Sequence, residues 1–187
     1  PPYPGLPDWR GDWPALERDC PWLAPLHRCP QDPLHHGEGD VGTHTRLVCE
    51  ALVALPAFRG LPEDERRILF AAALLHDVAK PPTTRRDLDG RLTSPGHSRR
   101  GAIEARQILW RRGVPFAARE QVAALVRWHQ APFHLIDAPD SERRALTIGQ
   151  TARADLLALL AEADARGRIS ADQGRMLEMV ALFAERC

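Results

Sequence analysis

The chain has 187 residues, 44% of them hydrophobic, which fits one domain with a sizeable apolar core. Its 25 basic and 25 acidic side chains balance to a formal net charge of zero, so no global field draws it to nucleic acid or to a membrane surface. No apolar run approaches the roughly 18 residues of a spanning helix, and no signal-peptide pattern opens the sequence.

In chain order, the first forty residues are rich in Pro, Gly and Trp and read as an irregular arm packed on the core, with one short helix near Trp13–Arg18. Residues 41–187 then read as one helical domain. A periodic stretch over Thr43–Pro56 puts Leu47, Val48, Ala51, Leu52 and Leu55 on one face. Leu61-Pro62-Glu63 opens a second helix, closed by Pro81-Pro82. Arg85–Pro95 reads as a loop in which Asp89-Gly90 makes a tight turn. Further helices are predicted over His97–Arg112, stopped by Gly113, over Pro115–Gln130, over Thr151–Ala165, and from about Ser170 onward. The fold class is an all-α bundle.

Cys20, Cys29, Cys49 and Cys187 are scattered, with no CxxC pair, and read as free thiols in a reducing, cytoplasmic setting. The sequence lacks an initiator Met and stops at Cys187 inside a helical pattern, as expected of a domain cut from a longer protein.

The chemistry begins at His76-Asp77, which closes the apolar run Ile68–Leu75. A helix apolar on every side is buried, and a buried imidazole beside a buried carboxylate needs a partner. Three more histidines and one more aspartate fall at comparable positions. His44 stands at a helix start, His97 at another, and His129 lies in register with Val122, Leu125 and Val126. Asp164 sits near the C-terminal end of an apolar helix, where the helix dipole disfavours an acid. Each has an ordinary reading alone: a cap, a satisfied core histidine, an ion pair of Asp164 with Arg168 or of Asp77 with Lys80. One divalent metal centre accounts for all of them, and a nitrogen-and-oxygen shell suits transition ions.

The order His44, His76-Asp77, Asp164 resembles the H…HD…D signature of the HD-domain metal-dependent phosphohydrolases, over about Asp40 to Cys187. Gln31 to Thr43-His44, Gly96-His97-Ser98 and Trp128-His129-Gln130 resemble most the N-terminal HD domain of the bacterial HD-Pnk RNA-repair enzymes. The resemblance implies two divalent transition-metal ions (Mn, Fe, Co, Ni or Zn). His44, His76, Asp77 and Asp164 would hold one; Asp77, as a bridge, with His97 and His129 would hold the other. It implies phosphate contacts by Lys80, the only lysine in the chain, and by Arg168, with His36 and Glu38 behind the ligands.

The implied activity is removal of 2′,3′-cyclic phosphate or 2′/3′-phosphate from RNA ends by a metal-dependent phosphoesterase. A P-loop kinase module would lie beyond Cys187, since no GxxxxGK[ST] occurs before it. Two alternatives stay open at this point: a nucleotidase or phosphodiesterase for small nucleotides, and a nucleic-acid-binding module with a structural metal. The arginine-rich stretch Arg85–Arg112 would steer an RNA end, with Trp110, Trp128 and Phe133 as stacking candidates.

Overall fold

A computed structural model describes residues 9–186, and nearly all of its regular structure is helical. The Pro-rich opening (1–8) and Cys187 lie outside the described residues. The arm is more regular than expected. Helix α1 (Trp13–Asp19) is capped by the Asp12 carboxylate, which accepts from Ala15 N at 3.0 Å. Two single 3₁₀ turns follow, Pro21–Leu23 and Leu26–Arg28. Leu16, Cys20, Leu23, Leu26 and Cys29 are buried, so this segment forms part of the core.

Asp40 starts α2 (Val41–Ala54), accepting from the Thr43 amide and hydroxyl at 2.8 Å each. Leu55 breaks the helix, and Pro56 opens a separate short one, α3 (Pro56–Gly60), because proline suits a first helical position. Helix α4 (Glu63–Leu75) begins with three acids that complement its dipole and ends in a fully apolar stretch. The expected loop carries a two-residue antiparallel pair, β1 (Arg85–Arg86) and β2 (Leu92–Thr93), with Gly90 at φ +85° in its turn.

Glycines in left-handed conformation bracket α5 (His97–Arg111): Gly96 at φ +74° and Gly113 at φ +71°. Then come α6 (Phe116–Trp128), α7 (Ser141–Gly149), α8 (Ala154–Gly167) and α9 (Gln173–Arg186). Helix α7 was not anticipated. It is polar and mostly exposed, with only Ile148 fully buried, so it lacks the apolar period that betrays a core helix.

The principal packings are α5 along α6, α2 along α8, α8 against α9, and α4 against α6 and α2. Gly167 sets the α2–α8 approach: a Cβ there would stand 2.7 Å from the Val48 amide nitrogen. No helix among the described residues is long and apolar enough to cross a membrane.

Candidate metal centre

Every predicted ligand lies at or near a helix end. His44 is in the first turn of α2, His76 and Asp77 follow α4, His97 opens α5, His129 follows α6, and Asp164 is in the last turn of α8. Helix ends leave backbone carbonyls without intrahelical donors. His76 Nδ1 uses one, Ala73 O at 2.7 Å, and His129 Nδ1 uses another, Val126 O at 2.8 Å. His97 Nδ1 reaches Ser94 O at 2.7 Å. A carbonyl only accepts, so the proton of each ring sits on Nδ1 and the Nε2 lone pair faces inward.

Those lone pairs meet a carboxylate. His76 Nε2 is 3.2 Å from Asp77 Oδ2, while His97 Nε2 and His129 Nε2 are 3.3 and 3.7 Å from Asp77 Oδ1. The two rings also face each other, Nε2 to Nε2, at 3.4 Å. His44 Nε2 lies 3.1 Å from Asp164 Oδ1 and 4.0 Å from Asp77 Oδ2. Acceptors aimed at acceptors in a buried site repel unless a cation lies among them.

Protonating the rings is the alternative, and burial opposes it. It pushes the His129 imidazole down to about 3 and lowers His97 as well, against the attraction of Asp77. At His76 burial acts in the same direction but the Asp77 charge outweighs it, so that ring is raised. Asp77 Oδ1 and His76 Nε2 are buried without a hydrogen-bond partner. The donor set therefore fits a divalent metal. His44, His76 and Asp77 form one convergent group, and Asp77, His97 and His129 another, with Asp77 common to both.

Asp164 falls outside those groups. Arg168 holds both of its oxygens, Nε to Oδ1 at 3.0 Å and Nη2 to Oδ2 at 3.1 Å. Burial raises the Asp164 carboxyl, but Arg168 and His44 beside it keep it well below the usual carboxylate range. Lys80 Nζ likewise stands 2.8 Å from Asp77 Oδ2. Its charge and that of His76 outweigh burial and hold Asp77 well below its ordinary range. Both ordinary ion pairs considered from the sequence are thus present.

His36 and Glu38 pack directly behind this shell. Glu38 Oε1 lies 2.8 Å from both His36 Nδ1 and His44 Nδ1, although the His44 nitrogen is out of line for a hydrogen bond. Glu38 Oε2 accepts from the Ile169 amide at 2.9 Å, which ties the arm to the end of α8. Sequence reading missed Gln31, whose Oε1 accepts from Lys80 Nζ at 2.6 Å. Its neighbours in sequence give no sign of this burial, and it reads there as a solvated loop glutamine.

A cavity of about 190 Å³ opens over the centre, lined by Gln31, His36, Lys80, Ser94, His97 and Arg168. The stacking candidates separate here. Phe133 is buried beneath the Arg168 guanidinium, 5.3 Å from its ring centre, and offers no face to a base; Trp110 is exposed and Trp128 partly so.

An all-α bundle with His and Asp donors converging at its helix ends defines a helical domain whose centre fits a metal ion. The chain belongs to the HD domain family, whose profile matches residues 41–165. It is 41% identical over 122 residues to the A-adding tRNA nucleotidyltransferase of Deinococcus radiodurans, covering 64% of this chain and 28% of that protein. It is 38% identical over 115 residues to the Multifunctional CCA protein of Halorhodospira halophila (62% and 25%). Against the protein of that name from Ralstonia nicotianae it is 32% identical over 165 residues (85% and 36%). The chain thus spans between a quarter and about a third of the length of these relatives.

These names correct the expected activity. They name an A-adding tRNA nucleotidyltransferase and Multifunctional CCA proteins, which overturns the expected removal of 2′,3′-cyclic or 2′/3′-phosphate from RNA ends. The HD domain itself is borne out; its HD-Pnk branch is not what the comparisons show.

Proposed function

We propose that this chain is the HD unit of an enzyme that adds nucleotides to the 3′ end of tRNA, and that its centre engages a phosphate of that end. The observation that carries this reading is the convergence of buried imidazole lone pairs on Asp77, beside the similarity to tRNA nucleotidyltransferases. In this reading His44, His76, Asp77 and, where Arg168 yields one of its oxygens, Asp164 would hold one divalent transition-metal ion, and Asp77, His97 and His129 would hold a second. Such ions supply concentrated positive charge that polarises phosphoryl oxygens.

The side chains do the rest. The carbonyls of Ala73, Ser94 and Val126 hold each imidazole proton on Nδ1, which keeps Nε2 free to bind. Lys80 and Arg168 line the cavity over the centre, held by Asp77 and Asp164, and would present fixed positive charge to an entering phosphate. Group transfer and ester hydrolysis both occur at phosphorus, so one arrangement of cations serves a transferase as readily as a phosphoesterase.

The test uses the protein in which this chain occurs, given tRNA lacking its last nucleotides together with labelled ATP and CTP. Incorporation at the 3′ end is expected. A metal-loaded protein that incorporates neither nucleotide overturns the reading.

A further inference from the structure

A second cleft, of about 480 Å³, lies along the seam of α5 and α6, with Ala102, Ile103 and Ala124 as its apolar lining and Arg99, Arg127 and Trp128 at its rim. It adjoins the centre through the chain itself. Arg99 is two residues past His97, and Trp128 immediately precedes His129. Arg106 also lines the cleft, but its charge is met by Glu120 at 2.7 Å. Among the described residues no carboxylate pairs with Arg99 or Arg127.

The rim is held in place. The Arg127 guanidinium lies on the Trp128 ring, 4.3 Å from its centre, and the indole N–H donates to Thr151 Oγ1 at 3.0 Å. Two guanidiniums that line one cleft without a carboxylate partner repel each other, and an anion between them removes the repulsion. Planar donor forks match phosphate oxygens in particular, and the volume falls in the ordinary range of ligand pockets, about 300–1,000 Å³.

We infer that this cleft is an RNA subsite, in which Arg99 and Arg127 clamp one backbone phosphate of a single strand while its base lies against the apolar lining beside Trp128. The inference rests on the reading of the partner as a tRNA 3′ end and names where the strand leading to the centre is held. Stacking plus a basic rim is the usual way of binding single strands without reading sequence.

The experiment measures binding of a labelled single-stranded RNA with the sequence of a tRNA 3′ end to the metal-loaded protein, wild type against Arg99→Gln/Arg127→Gln, over a range of salt, with ATP as competitor. The double variant is expected to bind about tenfold more weakly, with a log–log salt slope shallower by about 0.7, the value for one phosphate contact on a single strand. Its metal content is expected to be unchanged, as neither arginine touches the centre. RNA binding by the variant equal to wild type in affinity and slope overturns the subsite and leaves the tRNA reading standing. Loss of ATP competition with RNA binding intact reassigns the cleft to a free nucleotide. A wild type that binds no RNA overturns both.

Discussion

Three histidines each give one nitrogen to a backbone carbonyl and aim the other at Asp77, and this division of labour suits the cluster to a metal ion better than to a hydrogen-bonded core. His44 differs, since its outer nitrogen faces the Glu38 carboxylate instead of a carbonyl. Carboxylates behind ligating imidazoles raise their basicity and fix their orientation, and losing them typically costs about 10–100-fold in metal affinity. Glu38→Gln is therefore expected to weaken Mn²⁺ binding, measured by calorimetry, by at least about tenfold. An unchanged affinity would show that Glu38 serves only the loop. At this scale the sequence was informative where a residue stood in the wrong place: Asp164 near a helix C-terminus and His76-Asp77 ending an apolar run. Gln31 and the three carbonyls left no such sign, because a loop amide and a backbone group look alike in every sequence.

At the scale of elements, the centre depends on how closely α2 and α8 approach. Gly167 meets the Val48 backbone, and one turn earlier on α8 Asp164 meets His44. A methyl at position 167 has no flexible neighbour to displace, so the helices must separate. Gly167→Ala is expected to destabilise the protein by about 1–3 kcal/mol, and the melting midpoint by roughly 2–10 °C. Thermal unfolding checks this; a midpoint within a degree of wild type would mean that the helices part without cost. The helices that build the site were legible from apolar period and glycine stops, as α5 between Gly96 and Gly113 shows. Helix α7 was not, because only one of its side chains is fully buried and its polar sequence reads as loop.

For the whole molecule, metal and protons compete for one set of groups. In the metal-free protein burial keeps His129 at about 3 and His36 at about 4, against about 6.5 for an unfolded imidazole. Between those values the unfolded chain binds more protons, so stability falls as pH drops from 6.5 toward 4. Asp77, Asp164 and Glu38 are all held low, so their contribution, present above about 4, is also lost on acidification. His76, which is raised, opposes this, since its contribution is complete below 6.5 and disappears at higher pH. The sum predicts a urea midpoint for chelator-treated protein that declines from pH 6.5 to 4. A midpoint that stays level or rises on acidification would contradict the assignment of neutral, buried imidazoles.

The account as a whole turns on Asp77 as the residue shared by two groups of donors. Its most direct test is metal content per chain by mass spectrometry, for wild type and for Asp77→Asn, purified with Mn²⁺ and freed of excess ion. The prediction is about two ions in the wild type, as in other paired-metal centres, and loss of both in the variant. A folded wild type that holds no ion, or an Asp77→Asn protein that keeps its full complement, would contradict it.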